Sequence, residues 1–222
     1  MDGNGRWARR RGLPRLAGHR AGTENIRRIV SECAALGVSY LTLYAFSTEN
    51  WTRPQPEVDG LMRILVEFLE RETNNLHREG VQIRHYGTMN NVADLLRTRI
   101  ERAIALTANN DRLVLGVAFN YGGRAEIVDA VRTLVAAGAQ PHEITEQAIG
   151  QHLSTGDVPD PDLIIRTSGE FRISNFLIWQ AAYSELWVTP DFWPDFGADH
   201  LRQAINDYAK RERRFGGLTK ET

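Results

Sequence analysis

The stretch Tyr40–Pro54, YLTLYAFSTENWTRP, decides the fold. Its first part, Tyr40–Phe46, is a mostly apolar run rich in aromatic residues, which predicts a strand buried on both faces. Hydroxyl, amide and charged side chains follow directly, from Ser47 to Arg53. Ligands of an open parallel sheet bind beyond the carboxyl ends of its strands. This one stretch therefore predicts both a parallel sheet and the edge that carries a site.

The rest of the chain repeats the alternation of strand and helix. Further strands are predicted at Val81–Tyr86, Leu113–Phe119 and Leu163–Arg166, with a weaker one near Leu186–Thr189. Apolar residues recur at helical spacing in Ile26–Leu36, Val58–Leu76, Val92–Leu106, Ile127–Ala137 and Leu201–Lys210. We therefore expect a single α/β domain over residues 1–222, with a mostly parallel sheet covered by helices on both faces.

Composition limits the class of protein. A chain of 222 residues, 42% of them hydrophobic, can bury one substantial core. The lone Cys33 excludes a disulfide framework and favours a reducing, cytoplasmic setting. The sequence shows neither a signal peptide nor an apolar run of about 18 residues, so we expect no transmembrane helix.

Positive charge is concentrated at the N-terminus. The chain carries 27 Lys+Arg against 28 Asp+Glu, yet its first twenty residues hold six arginines and one carboxylate, Asp2. Guanidinium groups beside glycines and one acid indicate a site for a polyanion, most plausibly phosphate with a metal. The near-neutral net charge and the absence of a recognition-module signature argue against a nucleic-acid partner.

The N-terminal segment also fits one known phosphate-binding motif in part. Gly3–Ala8, GNGRWA, fits the dinucleotide fingerprint G-x-G-x-x-[GA], with Glu24 at the distance of a ribose-binding acid. That fingerprint needs a preceding strand, and Arg6 and Trp7 would crowd its turn, so the dinucleotide interpretation is disfavoured. No P-loop, H-E-x-x-H motif or G-x-S-x-G elbow is present. A hard-cation site with oxygen ligands such as Asp2 and Glu185 remains open.

Five segments resemble the cis-prenyltransferases, most of all their bacterial undecaprenyl diphosphate synthase group. They are MDGNGRWARRRGLPRLAGHRAG (1–22), YAFSTENWTRP (44–54), NYGGR (120–124), RTSGEFRISNFLIWQAAYSELW (166–187) and WPDF (193–196). The likeness extends from Asp2 to about Gly217, with the segments in the family's order. The D-D-x-x-D motif of trans-prenyltransferases is absent.

The resemblance implies a six-stranded parallel sheet, an apolar tunnel, a homodimer and Mg2+. The reaction would condense isopentenyl diphosphate with an allylic diphosphate such as farnesyl diphosphate, giving a long-chain Z-polyprenyl diphosphate such as undecaprenyl diphosphate. Two alternatives remain: a short-chain or branching cis-prenyltransferase, and a catalytically silent subunit of a heteromeric synthase. The family's pattern also implies an apolar strand ahead of the M-D-G-N segment.

The resemblance implies a role for each residue that matches a functional position of the family. Asp2 and Glu185 match metal-binding acids, and Asp2, Ser47 and Asn50 match residues with catalytic roles. Matches to the allylic diphosphate site are Gly3, Asn4, Gly5, Arg6, Arg15 and His19. Matches to the isopentenyl diphosphate site are Arg166, Arg172 and Ser174. Ser47, Asn50 and Arg53 would lie between the substrates, with Glu49 beside them, and Trp7, Phe46 and Trp51 would form an apolar wall.

The resemblance also makes predictions about the product. Ala45 would stand at the tunnel entrance, with walls from Leu61, Ile64, Leu65, Phe68, Val117 and Phe119. The Arg214-Phe215-Gly216 segment would reach the partner subunit's site. A long prenyl product has little solubility in water, so we expect peripheral contact with the inner face of the membrane during its release. Phe171 departs from the polar residue that relatives often have, with no consequence that the sequence defines.

Overall fold

The computed structural model describes residues 1–211, so the Arg214-Phe215-Gly216 segment lies outside the described residues. Its helices are α1 (Asn4–Arg10), α2 (Arg15–Ala35), α3 (Gln55–Arg78), α4 (Asp94–Thr107), α5 (Gly123–Ala136), α6 (Glu146–His152) and α7 (Ala198–Ala209). Its strands are β1 (Tyr40–Ser47), β2 (Val81–Tyr86), β3 (Leu113–Tyr121), β4 (Leu163–Arg166) and β5 (Glu185–Val188). Short 3-10 helices occupy Thr48–Thr52, Pro141–Glu143, Gln180–Tyr183 and Trp193–Asp195.

The strands form two parallel sheets. One has the order β1-β3-β2, with Leu43 paired to Val117 and Ile83 to Leu115. The other pairs β4 with β5. An α/β domain with parallel strands is confirmed, but the prediction of one six-stranded sheet is wrong for the described residues. β1 and β4, each an edge strand of its sheet, both line a cavity of about 1090 Å³.

The three-stranded sheet is covered on both faces. On one face, side chains of α2, α4 and α7 pack against Leu43, Ile83 and Leu115 to form the main core. On the opposite face, Tyr86 and Ala118 pack against the segment between α6 and β5. Because successive side chains of a strand point to opposite faces, nearly continuous apolar runs are needed to fill both. No helix within residues 1–211 is long and apolar enough to span a membrane.

A bulge near Ala45 redirects the end of β1. Tyr44 pairs with Ala118 and Phe46 pairs with Phe119, which leaves Ala45 without a partner in the register. Bulges bend a strand and re-aim its side chains, commonly next to active sites. The 3-10 helix Thr48–Thr52 follows at this end, so the bulge helps to set the direction of the polar segment.

The first two helices pack unusually closely. A Cβ at Gly18 would lie 2.0 Å from the carbonyl oxygen of Asn4, and one at Gly22 would lie 2.4 Å from its Oδ1. Only glycine permits that approach, so the pair brings α1 against α2. The segment that contains Asp2 and Arg6 is thereby fixed to a 21-residue helix.

Candidate active site

Asp2 stands at the polar end of the cavity, surrounded by hydrogen-bond donors. Its carboxylate accepts from the Gly3 N–H (2.7 Å), from Arg166 (3.0 Å) and from Arg6 (3.5 Å). Partial burial opposes ionisation, but the hydrogen bonds from Arg166 and the Gly3 N–H outweigh it and hold the pKa of the Asp2 carboxyl below its usual value. Asp2 is therefore an anion at neutral pH.

The backbone around Asp2 is held by two distant segments. Its N–H donates to Thr167 Oγ1 (2.9 Å), and its carbonyl accepts from the Trp193 N–H (2.9 Å). Gly3 follows with a φ of 94°, and a Cβ there would lie 2.5 Å from the Phe192 ring. Any other residue at Gly3 would meet both backbone strain and a steric clash. Trp193, which opens the W-P-D-F motif, and the preceding Phe192 therefore support the backbone on either side of Asp2.

A second cluster gathers two arginines and a histidine around Glu57, near the start of α3. Its carboxylate contacts Arg15 (3.1 Å), Arg53 (3.3 Å) and His19 Nε2 (3.3 Å). Burial is the main cause that lowers the pKa of His19, and the nearby Arg53 lowers it further against the opposing effect of Glu57. His19 is therefore neutral at pH 7. Sequence reasoning missed Glu57, although an acid shortly after Arg53-Pro54 was a usable signal.

A third cluster forms in the loop after β4. Arg166 donates to Ser174 Oγ (2.8 Å) and to the carbonyl of Arg172. Ser168, Ser174, Asn175 and Leu177 all have φ between 46° and 74°. Non-glycine residues in this region cost energy, and such strain concentrates at functional sites. Hydrogen bonds from the Arg166 guanidinium therefore help to fix the conformation of this loop.

Glu170, another residue that sequence reasoning did not assign, links the first and third clusters. Its two carboxylate oxygens accept from Arg6 (3.0 Å) and Arg172 (2.6 Å). Arg6 also donates to Ser168 Oγ. Glutamates thus hold arginines of all three clusters in place, and an anionic ligand could replace these carboxylates without disturbing the scaffold.

Most of the predicted site residues meet at the cavity. They are Asp2, Gly3, Asn4, Gly5, Arg6, Arg15, His19, Phe46, Ser47, Asn50, Arg53, Arg166, Arg172 and Ser174. The Asn50 Oδ1 accepts from the Ser47 N–H (3.2 Å), which fixes the turn between these two residues. Five guanidiniums and one ionised carboxylate at one end of a cavity can bind two phosphate-bearing groups and a divalent cation.

Four predicted residues do not line the cavity. Trp7 donates to Asp195 (2.7 Å), and Trp51 donates to Asn120 (2.8 Å). Glu49 is exposed and accepts from Asn175 and Thr48. Of the three residues expected to form an apolar wall, only Phe46 therefore lines the cavity.

Glu185, the fourth, is ion-paired with Arg211 (2.6 Å). It pairs in register with Leu163, at the opposite end of β4 from Arg166. Three residues of parallel strand span about 10 Å, so Glu185 is not brought to Asp2 within this chain.

The residues around Asp2 can hold a magnesium ion only if a bound phosphate group supplies further ligands. Among residues 1–211 no group of three or more His, Cys, Asp or Glu side chains could enclose a metal ion. Magnesium is commonly held by one or two carboxylates together with substrate phosphates, and the ionised Asp2 suits that arrangement. The residues fit a cation shared between Asp2 and a bound phosphate group.

The apolar tunnel residues divide into two groups. Ala45 and Leu61 line the cavity. Leu65, Val117 and Phe119 pack with α4 in an apolar cluster that also includes Phe46 and Leu61, and Ile64 and Phe68 are buried. The cavity's apolar remainder runs along β1, β4 and the inner side of α2.

Comparison with known proteins adds the family. A family model described as "Putative undecaprenyl diphosphate synthase" matches residues 1–216. An isoprenyl transferase of Heliobacterium mobile is 58% identical over 222 residues, covering 98% of this chain and 85% of that protein. The farnesyl-diphosphate-specific ditrans,polycis-undecaprenyl-diphosphate synthase of Xanthomonas axonopodis pv. citri is 53% identical, covering 97% and 86%.

A solved structure agrees with this relationship. Lavandulyl diphosphate synthase from Lavandula x intermedia, crystallised with dimethylallyl diphosphate, superposes with a TM-score of 0.93 at 36% identity, covering 97% of this chain and 95% of that one. The sequence match and the shared fold together lead to one assignment. This chain belongs to the undecaprenyl diphosphate synthase family of prenyltransferases.

Proposed function

We propose that this protein condenses isopentenyl diphosphate with an allylic diphosphate, preferably farnesyl diphosphate, and extends it to a long-chain Z-polyprenyl diphosphate such as undecaprenyl diphosphate. One observation carries the proposal. Arginine clusters around Arg15 and around Arg166 flank Asp2 and Asn50 at a single end of one cavity. Two diphosphates and the reacting carbons between them require that arrangement.

The allylic diphosphate binds to Arg6 and Arg15, whose guanidiniums exchange Glu170 and Glu57 for phosphate oxygens. The allylic C–O bond breaks, and its electron pair leaves with pyrophosphate. The arginines stabilise the charge that develops on the leaving group, which is where catalysis is needed. Mg2+ held by Asp2 would supply further neutralisation of the phosphate oxygens when bound.

Isopentenyl diphosphate binds to Arg166, Arg172 and Ser174, facing the allylic carbon from the other side. Its alkene electron pair forms the new C–C bond, and the resulting cation loses a proton to an oxygen of the released pyrophosphate, which restores a double bond. Ser47 and Asn50, which line the same cavity and are hydrogen-bonded to each other, assist proton loss. The product is an allylic diphosphate again, so the cycle can repeat.

The growing chain leaves the site past Ala45 and Leu61, the two predicted tunnel residues that line the cavity. Each five-carbon unit buried in apolar surroundings gains roughly 4 kcal/mol in the ideal limit. Elongation is therefore favoured until the apolar space beyond Ala45 and Leu61, on the α3 side of β1, is filled, and the size of that space sets product length.

The apolar slot between β1 and β4, we propose, receives an additional β-strand rather than the prenyl chain. In residues 1–211, β1 pairs only with β3 and β4 only with β5, while both border the slot along their full length. Buried backbone groups without partners are costly, and a strand would satisfy both edges. An apolar strand preceding the M-D-G-N segment should slow hydrogen exchange of the cavity-facing β1 amides. Unchanged exchange in such an extended chain would argue against the idea.

Two assembly features belong to the same proposal. The protein acts as a homodimer, which sedimentation velocity at micromolar concentration tests by its mass. It contacts the membrane peripherally from the cytoplasm while releasing product, and co-sedimentation with lipid vesicles tests this. Vesicle binding that stays the same with and without bound polyprenyl diphosphate would contradict release-coupled contact.

Product analysis tests the catalytic proposal. The protein is incubated with farnesyl diphosphate, radiolabelled isopentenyl diphosphate and Mg2+, and the products are sized by chromatography. A ladder of long Z-polyprenyl products supports it. The likeness to lavandulyl diphosphate synthase favours one second candidate, a short-chain or branching enzyme, which would give one short product. No product with farnesyl, geranyl or dimethylallyl primers would indicate a silent subunit.

A further inference from the structure

Asn120, the first residue of the N-Y-G-G-R motif, uses its whole side chain to join two loops. Its Nδ2 donates to the carbonyls of Thr88 (2.9 Å) and Asn90 (3.0 Å), and its Oδ1 accepts from Trp51 Nε1 (2.8 Å). The side chain is 3% exposed. Two carbonyls can face only the NH2 and an indole N–H only the oxygen, so the amide orientation is determined.

Asn175 connects the N-Y-G-G-R motif to Glu49, at the other end of the 3-10 helix from Trp51. Its Nδ2 donates to Glu49 Oε1 (2.8 Å), while its Oδ1 and carbonyl accept from the N–H groups of Arg124 (2.9 Å) and Gly123 (2.8 Å). A Cβ at Gly122 would lie 2.7 Å from Thr48 Oγ1. The N-Y-G-G-R motif therefore lies directly against the 3-10 helix that follows β1.

These contacts fall on the two neighbours of Asn50. Glu49 is bound by Asn175 and Trp51 by Asn120, while Asn50 between them lines the cavity. Trp51 also packs edge-on against Phe46, with ring centroids 5.0 Å apart. Both asparagines have a positive φ, 51° and 63°, so each position is built for a residue that tolerates left-handed backbone.

We propose that Asn120 and Asn175 are positioning residues for condensation, which hold Asn50 between the two substrates by binding the residues on either side of it. The inference rests on the proposed function, because it assigns them to the step in which Asn50 acts. Neither asparagine lines the cavity. Their effect on the reaction is exerted through the 3-10 helix Thr48–Thr52.

The test replaces each asparagine with glycine, which accepts the positive φ and removes only the side chain. Asn91→Gly is the matched control, because Asn91 has a φ of 60° and is exposed. We expect Asn120→Gly and Asn175→Gly to lower kcat by about ten- to hundredfold, as misplacement of a reacting group does. KM for isopentenyl diphosphate should change less than kcat, and Asn91→Gly should match the wild type.

Non-additivity separates positioning from general destabilisation. In an Asn50→Ala background, Asn120→Gly should have little further effect on kcat, because the residue it positions is gone. Full multiplication of the two effects, or a loss of activity that follows only the fall in Tm, would overturn the proposal.

Tryptophan emission provides a readout that needs no turnover. Asn120→Gly should shift the emission, since water replaces the amide at the Trp51 indole, and the shift should vanish in a Trp51→Phe background. An absent shift overturns the contact itself. An emission shift in Asn120→Gly, together with a wild type that forms no prenyl product, would confirm the contact but refute the proposed function, and with it the positioning role.

Discussion

The Arg166 guanidinium donates a 3.0 Å hydrogen bond to the Asp2 carboxylate, across 164 residues of sequence. This contact joins the N-terminal arginine-rich segment to the loop after β4. It keeps Asp2 ionised and fixes the separation of the two regions that we assign to the two diphosphates. Four predictions test what this arrangement implies.

Asp2→Asn should lower kcat/KM at least about a hundredfold. The substitution keeps the shape but removes the charge, and hydrogen bonds between charged groups contribute roughly 1.5–3 kcal/mol each. Steady-state kinetics over a range of Mg2+ concentrations measures the effect. Asp195→Asn is the control, because Asp195 pairs with Trp7 and Arg11 away from the cavity. Equal activity of Asp2→Asn and wild type would remove Asp2 from the site.

Arg172→Ala should raise KM for isopentenyl diphosphate and lower kcat/KM by about tenfold to a hundredfold, since one charge-assisted contact is lost. Arg132→Ala provides the comparison, because Arg132 makes an exposed ion pair with Asp129 on α5. Full activity with an unchanged KM for isopentenyl diphosphate would contradict the assignment of the loop after β4.

His19 makes a specific prediction for pH. Its pKa is lower in the folded chain than the ordinary value of 6.5, mainly through burial, so the unfolded state binds more protons below that value. The contribution of neutral His19 to stability is therefore complete above pH 6.5 and is lost as the pH falls from there towards the lower folded-state pKa of His19. Burial also lowers the pKa of His85, so the contribution of His85 to stability should fall with pH in the same direction.

Urea unfolding at several pH values should show this decline in wild type. His19→Gln should flatten the curve between pH 7 and 5, relative to wild type, while His142→Gln, at an exposed position, should not. An identical pH dependence for His19→Gln and wild type would show that His19 is not held neutral.

Ala45→Leu should shorten the products. Ala45 lies at the bulge of β1 and lines the cavity, so a larger side chain narrows the path between the polar end and the apolar space. Chromatographic sizing of the products measures it, with Ala105→Leu on the exposed side of α4 as the control. An unaltered product length would exclude Ala45 from the path of the chain.

The strands were predictable because their apolar runs are continuous. Val81–Tyr86 and Leu163–Arg166 form strands with the predicted bounds. The predicted helix Ile26–Leu36 instead begins at Arg15, because its first half carries glycines and arginines in place of an apolar stripe. Those glycines are present for close packing on Asn4, which is a tertiary cause that periodicity does not report.

The site was predictable only in part, for a related reason. Arginine-rich clusters are visible in a sequence, so the segments that contain Arg6, Arg15, Arg166 and Arg172 could be selected as candidates, and the resemblance supplied their individual predicted roles. The residues that bind these arginines belong to no recognisable sequence motif. Glu57 and Glu170 are two of many acidic residues in the sequence. Their role in binding the site arginines can be recognised only from the folded structure, which places those arginines around them.

The most direct test of the central claim is a crystal structure with Mg2+, isopentenyl diphosphate and a non-cleavable thio analogue of farnesyl diphosphate. We predict one diphosphate on Arg6 and Arg15, the other on Arg166, Arg172 and Ser174, and the farnesyl chain leading past Ala45. Either diphosphate bound away from these arginines, or a farnesyl chain directed to solvent, would contradict the account.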